Sequence, residues 1–256
     1  MVASLALTTS TLLGFLLTLA RVAGAFIFVP MPGLRTGFDL ARTVLTVGIT
    51  IALFSQWPRV PADTPIGIVA GWLIAEAGLG IGIGLAVAFV TEAFGVGAQI
   101  MGLQAGYAYA STIDPSTQAD SGILVIFAQL ASGLLFFTLG LDRQVLRIFA
   151  NSLETMPPGS FLISRGAGEH LLSLGATMFS TGLRLALPVV AILVMVDVSL
   201  ALLGRINSQL QLLTVAFPIK MMVGLFVLSW VALLLPTLFR ADAAITLNAL
   251  KGLAGH

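Results

Sequence analysis

Six ionisable residues stand within or at the edges of long apolar stretches: Arg21, Glu76, Glu92, Arg184, Asp197 and Lys220. A charge in such surroundings is costly, and it is usually retained to meet a partner or a water-filled path. Carboxylates in these positions could relay protons. The plainer chemistry is ion pairing that fixes how helices or subunits register. Arg184 and Asp197 share one apolar stretch but are too far apart to meet along a single helix face. Glu76 and Glu92 are also well separated. The spacing therefore predicts partners on other helices or on other chains.

Other chemistry finds no residues to carry it. The chain has no cysteine, so thiolate metal sites, disulfides and cysteine nucleophiles are excluded. Its two histidines, His170 and His256, are far apart, and neither sits in an apolar stretch. Ser132-Gly133 lacks the Gly-x-Ser-Gly setting of an intramembrane serine protease. Asp142 and Asp197 lack the Gly-x-Gly-Asp or Tyr-Asp settings of an aspartyl one. No P-loop, His-Glu-x-x-His or paired Cys-x-x-Cys occurs. The expectation is a protein that is not an enzyme and has no cofactor and no metal.

A second feature is one of contrast. The segment 106–122, running Gly-Tyr-Ala-Tyr-Ala-Ser-Thr-Ile-Asp-Pro-Ser-Thr-Gln-Ala-Asp-Ser-Gly, is small, polar and free of basic residues. Its glycines and serines permit irregular backbone, Asp114-Pro115 favours a turn, and Tyr107 and Tyr109 supply bulk with polar tips. Irregular backbone at membrane depth survives only when buried in protein or lining a wet cavity. The segment is thus either a pore element or a connector outside the hydrocarbon.

Composition places these residues in a membrane-type chain. Hydrophobic residues make up 58% and charged residues 9%, with a mean hydropathy of +1.05. A soluble domain carries about 25% charged residues, so this chain cannot coat itself in charge. The net charge of +1, without a basic cluster, argues against nucleic acid as a partner. The first twenty residues lack lysine and arginine, and the apolar run continues past Arg21 to Pro30, which predicts a retained first helix rather than a signal peptide.

Six apolar segments follow from the pattern: about 5–29, 40–57, 66–103, 123–141, 171–203 and 212–239. The third is too long for one straight crossing, since about 20 residues span the hydrocarbon. The fourth carries a polar helical extension, ended by Pro157-Pro158-Gly159, and the fifth is interrupted at Pro188. Runs this long must be helices, because a spanning segment has to satisfy its own backbone. Six segments return both termini to one side, and the distribution of arginine and lysine favours the inside. Glycines cluster in the third segment at 78, 80, 82, 84, 95, 97, 102 and 106, which suits helices packed backbone to backbone.

These residues carry a resemblance. Gly102-Leu-Gln104-Ala-Gly106-Tyr-Ala-Tyr109-Ala-Ser111-Thr-Ile-Asp114-Pro115 resembles the central G-x-Q-x-G…S…D-P stretch of the FliR family of type III export-gate subunits. Arg21-x-x-Gly24 through Pro30 resembles the family's opening. Glu76 and Glu92 with their glycines fit its third segment, and Gly140-Leu-Asp142 through Ser152 and Pro157 its middle, departing at Asp142 where the family commonly has His. Gln209 through Pro218-Ile-Lys220 to Gly224 resembles its closing signature, departing from it at Ser208, Gln211 and Ala216-Phe217.

The resemblance implies an all-α membrane protein of about six long apolar helices and hairpins that packs into a larger helical export gate. It implies a FliP-like part over roughly 1–165, including the central loop 106–122, and a FliQ-like hairpin over roughly 166–256. It implies partners of the FliP and FliQ types and a FlhB-type switch protein, unfolded secreted proteins as cargo, and a place in the bacterial inner membrane at the flagellar basal body. The loop would plug the closed pore, with Gly106, Tyr107, Tyr109, Ser111, Asp114 and Pro115 as its candidate residues. The six charges would be inter-helix or inter-subunit contacts. Two other readings compete: the equivalent subunit of a virulence secretion system, and an ion-coupled transporter of a small solute using Glu76, Glu92 and Asp197. The transporter reading predicts an inverted repeat, and the glycine-dense segment has no counterpart in the second half.

Overall fold

The computed structural model describes residues 9–31, 39–61, 63–107, 122–159, 165–206 and 212–253. Among these there are helices and no strands. The order is α1 (Thr9–Phe26), α2 (Leu40–Ala52), a 3-10 turn (Phe54–Gln56), α3 (Ile66–Ala105), α4 (Ile123–Thr138), α5 (Leu141–Thr155), α6 (Arg165–Ile206) and α7 (Leu212–Leu253).

The helix ends follow local chemistry. Pro65 precedes α3, where a missing backbone N–H is harmless, and its carbonyl accepts from Ile68 and Val69. In α2 the hydroxyls of Thr43, Thr46 and Thr50 bond back to the carbonyls of Asp39, Arg42 and Thr46, which satisfies them inside an apolar helix. The Trp57 indole donates to the Thr50 carbonyl at 2.8 Å and so helps close the C-terminal end of α2.

Three sequence expectations change. The fourth segment is not one helix with an extension: α4 and α5 are separate and meet at a bend of 65°. Gly140, at φ 67°, makes that turn in the left-handed region glycine favours. α5 then buries Leu141, Val145, Ile148, Phe149, Ser152 and Leu153, a single helical stripe. The fifth segment is not broken at Pro188; α6 passes through it. α7 accommodates Pro218 and Pro236 and continues beyond Phe239 to Leu253. Proline is tolerated in apolar helices when neighbouring groups satisfy the freed carbonyl.

Among the described residues four helices, α1, α3, α6 and α7, are long and apolar enough to cross a membrane, or up to five spans if the bent α4–α5 pair counts as one. α2 is apolar but shorter. The chain divides into two compact units. The first comprises 1–89, 136–175 and 243–256, and the second 90–135 and 176–242.

In the first unit α1 and α3 pack backbone to backbone. A Cβ on Gly80 would strike the Arg21 carbonyl, one on Gly84 the Ala25 carbonyl, and one on Gly24 the Ala77 carbonyl. The glycines spaced four apart on α3 thus form the face that meets α1, while Gly78 opens onto free space. In the second unit α3 and α6 make a similar approach, with Gly97 against the Gly182 carbonyl and Gly182 against the Ala93 carbonyl. Phe94 and Phe239 stack nearby at 5.2 Å between ring centroids.

Candidate functional site

Two of the charged pairs are formed within the chain. In the first unit Arg21 of α1 meets Glu76 of α3, both about 2% exposed at the side chain. The glycine contacts between α1 and α3 set the register that brings them together. The other guanidinium nitrogens of Arg21 reach α5: Nη1 donates to the Ser152 carbonyl at 2.6 Å and to its hydroxyl at 3.1 Å, and Nη2 donates to the Met156 carbonyl at 3.1 Å. These carbonyls lie at the C-terminal end of α5, where the helix dipole favours a cation; the Ser152 carbonyl also accepts from the Met156 N–H at 3.1 Å. Arg21 therefore ties three helices in one buried position.

Arg42 does the same for α1. Its Nη1 donates to the carbonyls of Phe26 at 2.6 Å, the last residue of that helix, and of Val29 at 2.9 Å, just past it. Sequence reasoning did not single out Arg42. Its place in the first turn of a threonine-rich helix, just after the polar stretch ending at Asp39, was the one available signal.

In the second unit three helices converge on Asp197 of α6. Lys220 of α7 approaches its two carboxylate oxygens at 2.9 and 3.0 Å. Gln104 of α3 donates to Oδ2 at 3.1 Å. Three residues on, the Tyr107 hydroxyl donates to the Met221 carbonyl at 3.2 Å. Burial pushes the Tyr107 phenol up, which keeps it a donor. A Cβ on Gly224 would stand 3.2 Å from that of Ala105, so α7 closes tightly on the end of α3.

The end of α3 has its own device. The Gly106 N–H donates to the Leu103 carbonyl at 3.2 Å and the Tyr107 N–H to the Gly102 carbonyl at 3.0 Å. With Gly106 at φ 86°, this is a Schellman turn. It fixes the point at which the polar loop leaves the helix. Of the six loop candidates, Gly106 and Tyr107 lie at this root, while Tyr109, Ser111, Asp114 and Pro115 lie outside the described residues.

Glu92 and Arg184 are not brought together with anything. Both are exposed, and among the described residues neither forms a hydrogen bond or an ion pair. Sequence reasoning also missed Asp242, which is 8% exposed and accepts from the Thr181 hydroxyl at 3.0 Å. It fell beyond the expected end of the last apolar segment. Among the described residues no group of acids, histidines or cysteines could hold a metal ion.

The model of the family described as bacterial export proteins, family 1, matches residues 12–244. The chain belongs to this family. It is 31% identical over 198 residues to the flagellar biosynthetic protein FliR of Pectobacterium carotovorum subsp. carotovorum, covering 76% of each chain. It is 28% identical to FliR of Escherichia coli K12, over 85% of this chain and 82% of that one. FliR of Bacillus subtilis is 24% identical over 84% of both. The FliR family is thus shown over nearly the full chain. Two stretches that carried the resemblance, Gly102 to Tyr107 and Lys220 to Gly224, are those that meet around Asp197.

Proposed function

We propose that this chain is the FliR-type subunit of a flagellar type III protein export gate. It would help to form and close the channel through which unfolded flagellar proteins leave the cell. It would act without catalysis of its own, in the bacterial inner membrane at the flagellar basal body. The partners would be several copies of FliP-type and FliQ-type subunits and a FlhB-type switch protein. The part over roughly 1–165 would stand in for one FliP-type protomer, and the hairpin over roughly 166–256 for one FliQ-type protomer.

The observation that carries this reading is the node around Asp197. It anchors the root of a polar loop, through Gln104 and Tyr107, onto both helices of the C-terminal hairpin. A pore plug needs a fixed root and a segment, here one of small polar residues by sequence, that cargo can push aside without unfolding the scaffold. The length of the apolar helices adds support. α3 rises about 60 Å at ~1.5 Å per residue, twice a hydrocarbon core of about 30 Å. A helix so long and so apolar is stable where other protein covers what lipid does not.

Glu76 and Asp197 are ion-paired to Arg21 and Lys220, so they are poor candidates for the free coupling carboxylates a transporter needs. The relatives are flagellar by name, which favours the flagellum over a virulence system.

The test is purification from native membranes with measurement of the intact mass. One copy of this chain in a stable complex with several copies of two smaller membrane proteins is the expected result. A chain that is stable alone, as monomer or homodimer, would overturn the reading.

A further inference from the structure

Several helical threonines of this chain satisfy their hydroxyls on their own helix. Thr46 and Thr50 of α2 each donate to the carbonyl four residues earlier at 2.7 Å, and Thr155 of α5 does so at 3.0 Å. Thr18 of α1 does not. It is fully buried, and among the described residues its hydroxyl has no hydrogen-bond partner. A second orphan belongs to the ion pair on the neighbouring helix. Glu76 gives Oε2 to Arg21, while its Oε1 is buried and has no partner among the described residues. Buried polar atoms left in this state are rare and costly.

The packing of α1 on α3 brings the two orphans to one level. Gly80 of α3 meets the Arg21 carbonyl, and one turn on Gly84 meets the Ala25 carbonyl. The two helices therefore run parallel here. One turn back from this contact α1 reaches Leu17 and Thr18 where α3 reaches Glu76. Thr18 and Arg21 are three residues apart and share a face. The Arg21 side chain leans back over the turn that carries Thr18, and there it meets Glu76. Bulk water has no access at this level, since Leu17, Val22 and Phe149 are each at most 1% exposed. The two orphans do not bond each other.

We propose that one internal water molecule bridges the Thr18 hydroxyl and Glu76 Oε1, and completes the lock that Arg21 makes between α1, α3 and α5. The chemistry of the two atoms selects this ligand. A carboxylate oxygen only accepts, so the ligand must donate to it, while the threonine hydroxyl can do either. A bound cation would stand beside the Arg21 guanidinium and a bound anion beside the Glu76 carboxylate, and each would be repelled by its neighbour. Water is neutral, small and carries two donors, and a buried water serves about two to four such atoms. The bridge is a second polar link between α1 and α3, and it gives a reason for a hydroxyl at a fully buried position in an apolar helix. It lies within the chain's own helices and does not depend on the export-gate reading.

The experiment is electron cryo-microscopy of the full chain in whatever complex it is purified from native membranes, at a resolution that shows other ordered waters. An isolated peak about 2.5–3.2 Å from both Thr18 Oγ1 and Glu76 Oε1 is expected. The inference is overturned if no peak stands there while other buried waters are seen. It is equally overturned if the Thr18 hydroxyl bonds back to the Gly14 carbonyl or directly to Glu76. None of these outcomes bears on the gate reading, which the composition of the purified complex decides.

Variants supply an independent readout. Thr18→Val keeps the shape and removes the hydroxyl; it should abolish the peak and lower the midpoint of thermal unfolding by about 2–4 °C, the shift that losing a buried hydrogen bond gives in a chain of this size. Thr18→Ser should keep the peak. The same Thr18→Val change is then made beside Arg21→Met and Glu76→Leu, where no carboxylate remains to be bridged. There it should leave the midpoint unchanged or raise it, because the effects of residues that share a partner do not add. An equal drop in both backgrounds would assign the loss to methyl packing and sink the proposal.

Discussion

At the scale of single residues, the chain uses arginine to finish helices. Arg21 and Arg42 each serve carbonyls at the C-terminal end of a neighbouring helix, acceptors that lipid cannot satisfy. Arg21 is the more consequential because Glu76 is buried beside it. Removing one partner of a buried pair leaves an uncompensated charge and costs about 3–5 kcal/mol. Arg21→Met should therefore lower the midpoint of thermal unfolding in detergent sharply. Arg21→Met with Glu76→Gln should recover part of the loss, since no charge is then stranded. If the double variant is no better than the single one, the loss lies in the bonds from Arg21 to α5 rather than in the pair. Gly106 offers a cleaner case. Its left-handed conformation costs a Cβ-bearing residue about 1 kcal/mol. Gly106→Ala should lower stability by that amount and move the root of the loop, read as leakage of small ions through membranes carrying the complex. Unchanged leakage with unchanged stability would remove Gly106 from the candidate site. The charges themselves were legible in the sequence because they interrupt apolar runs. Their pairing was not, since Arg21 and Glu76 meet only once α1 and α3 have a register.

At the scale of elements, that register comes from small residues. Gly24, Gly80 and Gly84 let two backbones touch, and a glycine run that looks uniform in sequence is divided by the structure into residues with distinct surroundings. This yields a contrast within one helix. Gly80→Ala forces a methyl into the Arg21 carbonyl, and overpacking of this kind costs about 1–3 kcal/mol. Gly78→Ala meets open space and should stabilise the helix by up to ~1 kcal/mol. Comparing the two variants by thermal unfolding of the purified complex decides whether spacing or mere glycine content matters. Equal effects would count against the packing account. Element boundaries were readable where proline or glycine punctuated the chain, as at Pro65 and Pro157. They misled where punctuation has two meanings. Pro188 kept its helix because an apolar helix with neighbours can absorb a proline, whereas Gly140, a lone glycine before an amphipathic stripe, turned the chain by 65°. The end of α7 was placed too early because Arg240 and Asp242 read as a polar boundary. The helix continues, and Asp242 finds Thr181.

At the scale of the whole molecule, the apolar surface outruns any bilayer. Large apolar side chains are exposed along α6 from Leu172 to Leu203, a rise of about 45 Å at ~1.5 Å per residue. On α7 they include Phe226, Trp230 and Leu233, each more than 70% exposed. Contiguous exposed apolar surface of this extent marks a contact with lipid or protein, and lipid alone covers about 30 Å of it. The remainder calls for cover by other protein, which the proposed assembly would supply, and it accounts for segments too long for simple crossings. The chain should therefore depend on its partners to persist. Expressed alone, it should reach a steady-state level in membranes several-fold below that seen with FliP-type and FliQ-type subunits present, because chains with bare apolar surface are removed by quality control. Quantitative immunoblotting with and without the partners measures this. The Asp197→Asn variant separates the two causes of low abundance. If the node around Asp197 holds only the chain's own helices, that variant should lose abundance in both settings by the same factor. Equal abundance of the unsubstituted chain with and without partners would show that lipid suffices, and the long helices would then need another explanation.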